Sequence, residues 1–375
     1  MSDTLPFPPK KDPQKRTRVP VLPPMARSRA ALGLGVMAAK GRFGLQVCTD
    51  CEAVQYPPRD ACGTCLSNDL PWQDVEPYGT VLAETTIRVS PEPYFRERMP
   101  WRMGSVKLNV GPTLNCHLHG EVGRGDHVRM ALKLDKAGQG VLIALPLEGS
   151  EHMQDDPMLR AMSSDPKRRR VLITDARAPM AFSLTQALLK AGAAHVFLGE
   201  PEAWLHWPAR ASFEELRDVS IVPLDVTDER SVAKQAAELG GKVDILINTA
   251  SHTRPGGVID GTTSFARETF EKNTLGLVKL AQGFGPAMAS RAQDGINSAV
   301  AFVNILSVQA FVPDTNFSTF GASQAAARSI AQSLRAEFRA SGIRVMNLYI
   351  GPIEGDPWFQ PLPPPKVTPN AIARA

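Results

Sequence analysis

The spacing of hydrophobic positions changes twice along this chain. Met1 to Pro24 repeats Pro with Lys and Arg and has no hydrophobic period. An extended arm over 1–25 is the expectation there. Ala26 to Lys40 turns to Ala, Leu, Gly and Met, which predicts a short helix. Between Tyr78 and Pro146 short β-like runs alternate with turns: Gly79 to Val89, Gly104 to Val110, Asn115 to His119, His127 to Leu134 and Val141 to Leu145. That rhythm suits a small antiparallel barrel. Glu148 to Pro166 is polar and acidic without a clear period, so a linker is placed at 151–168. From Arg168 onward buried apolar runs, such as Val171 to Thr174, Ala194 to Leu198, Asp244 to Asn248, Ala299 to Ile305 and Arg344 to Leu348, alternate with helical patterns such as Ala181 to Ala191. A parallel sheet covered by helices on both faces follows for 169–375. The remaining stretch, 26–150, is read as one domain.

Composition narrows the function classes. At 43% hydrophobic and 21% charged residues, 375 positions suffice for two cores. The net charge of +4 sits largely in the first thirty residues and in Lys167 to Arg170, so a general nucleic-acid surface is not indicated. No run of about eighteen uncharged apolar residues exists, and the start of the chain lacks the apolar centre of a secretory signal. A soluble, cytoplasmic protein without a membrane partner is expected.

Four of the five cysteines form two C-x-x-C pairs, Cys48/Cys51 and Cys62/Cys65, ten residues apart. Each pair can present two thiolates to one tetrahedral ion, and four sulfurs close its coordination sphere. The site is therefore read as structural zinc (Zn2+), with iron in a rubredoxin-like site, a redox pair or free thiols as alternatives. Cys116, His117 and His119 stand on one expected strand and are read as ordinary barrel residues. Tyr56-Pro57-Pro58-Arg59, Gly79-Thr80-Val81 and Gly125-Asp126-His127-Val128 complete a pattern over Ala26 to Leu147. It resembles the zinc-ribbon and OB-fold proteins that accompany thiolase-fold and aldolase enzymes acting on acyl-CoA. The resemblance implies a rubredoxin-like ribbon plus an OB-fold β-barrel, and binding of acyl-CoA or docking on an enzyme that binds it. The strand segments lack the dense aromatic and basic interleaving of a base-stacking platform, which argues against nucleic acid.

Val171-Leu172-Ile173-Thr174 and the following helix resemble the opening of a short-chain dehydrogenase, an α/β Rossmann fold, where the family writes T-G-x-x-x-G-x-G. Its glycine positions fall here on Asp175, Pro179 and Ala181. Those glycines turn tightly and let backbone approach a pyrophosphate. Asp175 sets a negative charge there, a repulsion of about 4 kcal/mol per charge pair at ~4 Å and an effective dielectric of ~20. Pro179 removes an amide donor. NAD(P) binding in the usual mode is therefore not expected. The family's remaining pieces survive: Asp225 in Leu224 to Asp228 matches the residue near adenine, Asn248 opens the counterpart of N-N-A-G, Asn273 matches the relay asparagine and Ser307 the substrate-polarising serine. The catalytic tyrosine and lysine positions hold Phe320 and Gln324. Phenylalanine has no proton to exchange, and general acid–base catalysis alone is typically worth ~10²–10⁴ in rate. Asn273 and Ser307 are read as vestiges that satisfy local backbone hydrogen bonds. Tyr349-Ile350-Gly351-Pro352 resembles the family's P-G turn in reversed order, and the family's last strand would fall beyond Ala375.

These resemblances imply a non-catalytic accessory subunit. The ribbon and barrel would partner a thiolase-fold or aldolase enzyme. The dehydrogenase-like domain would pair with an active short-chain dehydrogenase subunit through helices within Phe265 to Ala289 and Phe320 to Ala340, as inactive subunits of heteromeric dehydrogenases do in anaerobic aromatic acyl-CoA β-oxidation. The alternative is a divergent NAD(P)-dependent enzyme acting on a 3-hydroxyacyl or 3-oxoacyl thioester.

Overall fold

The computed structural model describes residues 22–25, 28–149, 152–202, 204–205, 207–291 and 298–374. Most of the expected N-terminal arm, 1–21, lies outside the described residues, as do 26 and 27 at the start of the first expected helix. Two compact units divide between Asp165 and Pro166.

In the first unit a 3-10 turn, Arg29–Ala31, leads into helix α1 (Leu32–Ala39). Strand β1 (Gly44–Val47) then pairs antiparallel with β2 (Val54–Gln55) on one side and β3 (Trp72–Asp74) on the other. Five further strands, β4 (Tyr78–Ile87), β5 (Trp101–Leu108), β6 (Thr113–Leu118), β7 (His127–Leu134) and β8 (Gly140–Pro146), close a barrel in the order β4-β5-β6-β8-β7. A single turn of helix, α2 (Pro93–Arg96), joins β4 to β5. Alternate residues point inward, as the pleat dictates. Val106 and Leu108, Leu114, Cys116 and Leu118, and Val128, Met130 and Leu132 fill the interior, with Leu34 and Met37 of α1 in the same cluster. A register shift between Val81 and Ala83 bends β4.

The segment expected as a linker is in part a piece of this unit. A 3-10 turn (Met153–Asp155) and helix α3 (Pro157–Arg160) follow β8, and the Asp156 carboxylate caps α3 by accepting from the Met158 and Leu159 amides. Met153, Leu159 and Met162 are buried with Tyr94, Trp101, Ile143 and Leu145. Three apolar anchors in a polar stretch give no period, which is why the pattern reads as linker.

The second unit is a six-stranded parallel sheet. Its strands are β9 (Arg170–Ile173), β10 (His195–Glu200), β11 (Val219–Pro223), β12 (Ile245–Asn248), β13 (Ala301–Ser307) and β14 (Arg344–Ile350), in the order β11-β10-β9-β12-β13-β14. Helices α4 (Ala181–Lys190), α5 (Arg210–Glu214), α6 (Glu229–Leu239), α7 (Thr263–Phe270), α8 (Gly276–Ser290), α9 (Ser318–Arg339) and α10 (Pro369–Arg374) lie between and after them. Strands buried on both faces need apolar residues at every position. Accordingly Leu172, Leu246 and Phe302 pack with α6, α8 and α9 residues such as Val232, Phe284 and Leu334 on one face. Val171, Ile173, Ile245 and Ile247 pack with Leu184 and Phe213 on the other. Strand order reverses between β9 and β12, the place where such sheets open a crevice at their carboxyl ends. No helix among the described residues is long and apolar enough to cross a membrane.

Candidate functional site

The two cysteine pairs sit on matching turns. Cys48 and Cys51 follow β1, and Cys62 and Cys65 lie between β2 and β3. In each knuckle the residue after the second cysteine enters the left-handed region, Glu52 at φ 56° and Leu66 at φ 66°. Its amide donates back to the carbonyl of the first cysteine, Glu52 to Cys48 at 2.9 Å and Leu66 to Cys62 at 3.1 Å. The four Sγ atoms all lie within 4.8 Å of one another, with Cys48–Cys65 at 3.4 Å and Cys51–Cys62 at 3.6 Å. Tetrahedral zinc at ~2.3 Å from each sulfur needs separations of about 3.8 Å, so the quartet fits the ion closely. The backbone amides of Cys65 and Thr64 draw the Cys62 thiol down to about 6, toward the thiolate that binds metal. Two glutamines brace the second knuckle. Gln46 both donates to the Arg59 carbonyl and accepts from its amide, and Gln55 accepts from the Gly63 amide. Neither was visible in the sequence as a site residue. Cys116 stands apart inside the barrel, its thiol pushed up to about 12 by burial, and His117 accepts from the Trp101 indole at 2.9 Å. Among the described residues only the four paired cysteines converge as metal ligands.

The second site lies at the sheet's reversal point. Thr174 donates to Asn248 Oδ1 at 3.0 Å and accepts from the Thr249 amide at 3.0 Å, while the Asp175 amide donates to Thr249 Oγ1 at 3.0 Å. Side chains thus stitch the ends of β9 and β12 together. The Asp175 carboxylate accepts from the Arg177 amide at 3.0 Å and from Lys272 Nζ at 2.9 Å. Lys272 corrects the repulsion argued from sequence: Asp175 belongs to a neutral pair, and the negative charge facing this turn is largely cancelled. Ala181 is buried at the start of α4. Pro179 is exposed and borders the segment after β14, where a Cβ on Gly355 (φ 92°) would lie in ordinary contact, 3.5 Å from the proline's own.

Two acidic groups are occupied within the unit. Glu200, which ends β10, accepts from the Trp207 indole at 2.6 Å and from Arg210 on both oxygens. Burial pushes its carboxyl up, but Arg210 and Trp207 outweigh that and hold it below its ordinary value. Sequence reasoning missed Glu200; an acidic residue closing the second strand of such a sheet was the available signal. Asp225 accepts from both the amide and the hydroxyl of Thr227, at 2.8 and 2.7 Å.

Asn273 lies in a π-helical turn, Glu271–Leu275, between α7 and α8. Its Oδ1 accepts from the His252 amide at 2.6 Å, and its Nδ2 donates to the His252 carbonyl and to Ser323 Oγ. Ser307 Oγ accepts from the Gln309 amide at 3.1 Å, and Gln324 Oε1 accepts from the Ser307 amide at 2.9 Å. Phe320 is buried, its ring centroid 6.5 Å from Phe317 and 6.1 Å from Phe359. Asp175, Pro179, Ser307, Phe320 and Gln324 therefore border one cleft, of which about 210 Å³ is open. Asn273 stands behind it, whereas Asp225 and Glu200 are not among its lining residues.

Three known families match successive stretches: the ChsH2 rubredoxin-like zinc ribbon domain over 37–71, the ChsH2 C-terminal OB-fold domain over 72–133, and short chain dehydrogenase over 169–360. The ribbon and barrel therefore carry the metal site of a zinc ribbon joined to an OB-fold. Among curated proteins, 1-deoxy-11-beta-hydroxypentalenate dehydrogenase of Streptomyces exfoliatus is 28% identical over 53% of this chain and 72% of its own length. Dehydrogenase/reductase SDR family member 7 of Mus musculus is 29% identical over 37% of this chain and 41% of its own length. A solved short chain dehydrogenase/reductase family protein, 23% identical, superposes with a TM-score of 0.50 over 56% of this chain and 88% of that one, a likeness of fold.

Proposed function

The chain belongs to the short chain dehydrogenase family, matched over 169–360, and from that premise we propose that it is a non-catalytic accessory subunit of an acyl-CoA-processing complex. The observation that carries this reading is α9. Where the family places its proton donor stands Phe320, packed between Phe317 and Phe359, and where it places its lysine stands Gln324, bonded to the Ser307 amide. Neither exchanges a proton at neutral pH. The turn supports the same reading, since Asp175, Pro179 and Ala181 offer no glycine for close approach of a pyrophosphate, and Glu200 is buried and already engaged by Arg210 and Trp207. NAD(P) would then not be bound in the usual mode.

Pairing with an active dehydrogenase subunit is supported by a groove between α8 and α9. It is lined by Val278, Ala281, Gly285 and Ala289 facing Ile330 and Leu334, small and apolar residues suited to a second helix pair. The ribbon and barrel would meanwhile dock on a thiolase-fold or aldolase partner, keeping oxidation of a 3-hydroxyacyl-CoA next to cleavage of its product. Open space beside Ser307 favours a second reading, a divergent NAD(P)-dependent reductase of a 3-oxoacyl thioester. Affinity purification of the tagged full chain from its native host, with mass spectrometry of what accompanies it, separates the two. The accessory role predicts a thiolase-fold or aldolase protein and a second, tyrosine-bearing dehydrogenase; the chain alone with bound NAD(H) would overturn it.

A further inference from the structure

We propose that the ribbon-and-barrel unit self-associates through the outer edge of β4, a second copy of this chain adding its own β4 antiparallel about a twofold axis at Thr86. β7 pairs with β4 only at Tyr78, Gly79 and Thr80, whereas β5 accompanies it to Ile87. Val81 is the last residue whose outward groups are used. Its amide donates to the Asp126 carbonyl at 3.0 Å, and its carbonyl accepts from the Gly125 amide at 2.9 Å. The register shift between Val81 and Ala83 takes up one extra residue, so the alternation resumes with Glu84 and Thr86 turning N–H and C=O to the same outer side. No strand lies there among the described residues, and the backbone groups of Glu84 and Thr86 find no other partner among them. Leu82, Ala83, Glu84, Thr85 and Thr86 are all exposed.

Monomeric proteins blunt such an edge with proline, lysine, a bulge or a covering loop. Ala83 to Val89 holds no proline or lysine, and the bulge precedes it. Its charges match a second copy of the same segment. In an antiparallel pair centred on Thr86, each Glu84 stands directly opposite the other copy's Arg88, and the two Thr86 side chains face each other, both favourable cross-strand pairs. Acceptor and donor are available: Glu84 gives Oε2 to Arg102 and leaves Oε1 unused, and Arg88 makes no hydrogen bond or ion pair among the described residues. On the other face the same register sets Ala83 opposite Val89 and Thr85 opposite Ile87, which covers Val89, 85% exposed in the single chain. Centring on Glu84 or on Arg88 would instead oppose like charges. An isologous contact of this kind closes at two copies. It depends on the barrel edge alone, whatever the second unit does.

The test is sedimentation equilibrium of the zinc-loaded full chain from low micromolar to several hundred micromolar concentration. A reversible step to twice the chain mass is expected. Thr86→Pro, which removes the amide donor at the twofold, should weaken that step at least roughly tenfold. Thr86→Val keeps the backbone and the branched shape and should leave it within about threefold, whereas Arg88→Glu sets two carboxylates against each other and should weaken it roughly tenfold. Hydrogen exchange in the unsubstituted protein reads the same contact even where the proline variant fails to fold: the Glu84 and Thr86 amides should slow as concentration rises. A chain that stays monomeric throughout, a dimer that Thr86→Pro and Arg88→Glu leave intact, or exchange at those two amides that is independent of concentration overturns the proposal.

Discussion

Glu200 ends its strand where a dinucleotide-binding sheet offers an acidic group to a ribose, yet its oxygens are taken by Arg210 and Trp207. Its carboxyl is held below its ordinary value, so its contribution to stability is present above the unfolded pKa of about 4.3 and lost as pH falls through the lower folded value. Glu200→Gln should therefore lower the stability of the second unit by about 1–2 kcal/mol at pH 7, less than for a fully buried pair because Arg210 is 33% exposed. The deficit should shrink toward pH 3; calorimetric melting across that range reads it, and a deficit that does not change with pH would contradict the assignment. At this scale the sequence is legible where one residue carries the signal, as with Phe320 and Gln324. It is silent where two distant residues must meet: Lys272 neutralises Asp175 across 97 positions, and no local pattern announces the pair.

Elements were legible where a period exists. All five barrel strands and the six sheet strands follow from alternating or continuous apolar runs, because a pleat exposes every second residue and a covered sheet exposes almost none. Residues 153–162 have no period and were missed, being tied down by Met153, Leu159 and Met162. The ribbon is a different case, since its short strands hold little apolar surface and the ion supplies the cohesion. Cys62→Ser should abolish stoichiometric zinc on metal analysis and raise hydrogen exchange in β1 to β3 while the barrel strands stay protected. Retention of one zinc per chain would rule out the four-sulfur site. On α9, restoring both family side chains in Phe320→Tyr/Gln324→Lys should leave NAD(P)-dependent oxidation of 3-hydroxyacyl-CoA undetectable, because the turn at Asp175 to Ala181 and the occupied Glu200 are untouched. Turnover in that double variant would mean that those two positions alone were limiting.

For the whole molecule, a zinc ribbon and OB-fold precede a short chain dehydrogenase domain, each unit with its own core. On the proposed accessory role, the fusion keeps the dehydrogenase fold for its surface, and the α8/α9 groove is the surface at issue. Ile330→Asp, placing a charge in that groove, should abolish co-purification of the active dehydrogenase while zinc content and the thiolase-fold partner are retained; undiminished recovery of the dehydrogenase would move the interface elsewhere. The most direct test of the non-catalytic reading is a calorimetric titration of the zinc-loaded full chain with NADH and with NADPH. No saturable heat is expected for either up to millimolar concentrations, and a dissociation constant in the micromolar range for either would contradict the non-catalytic reading.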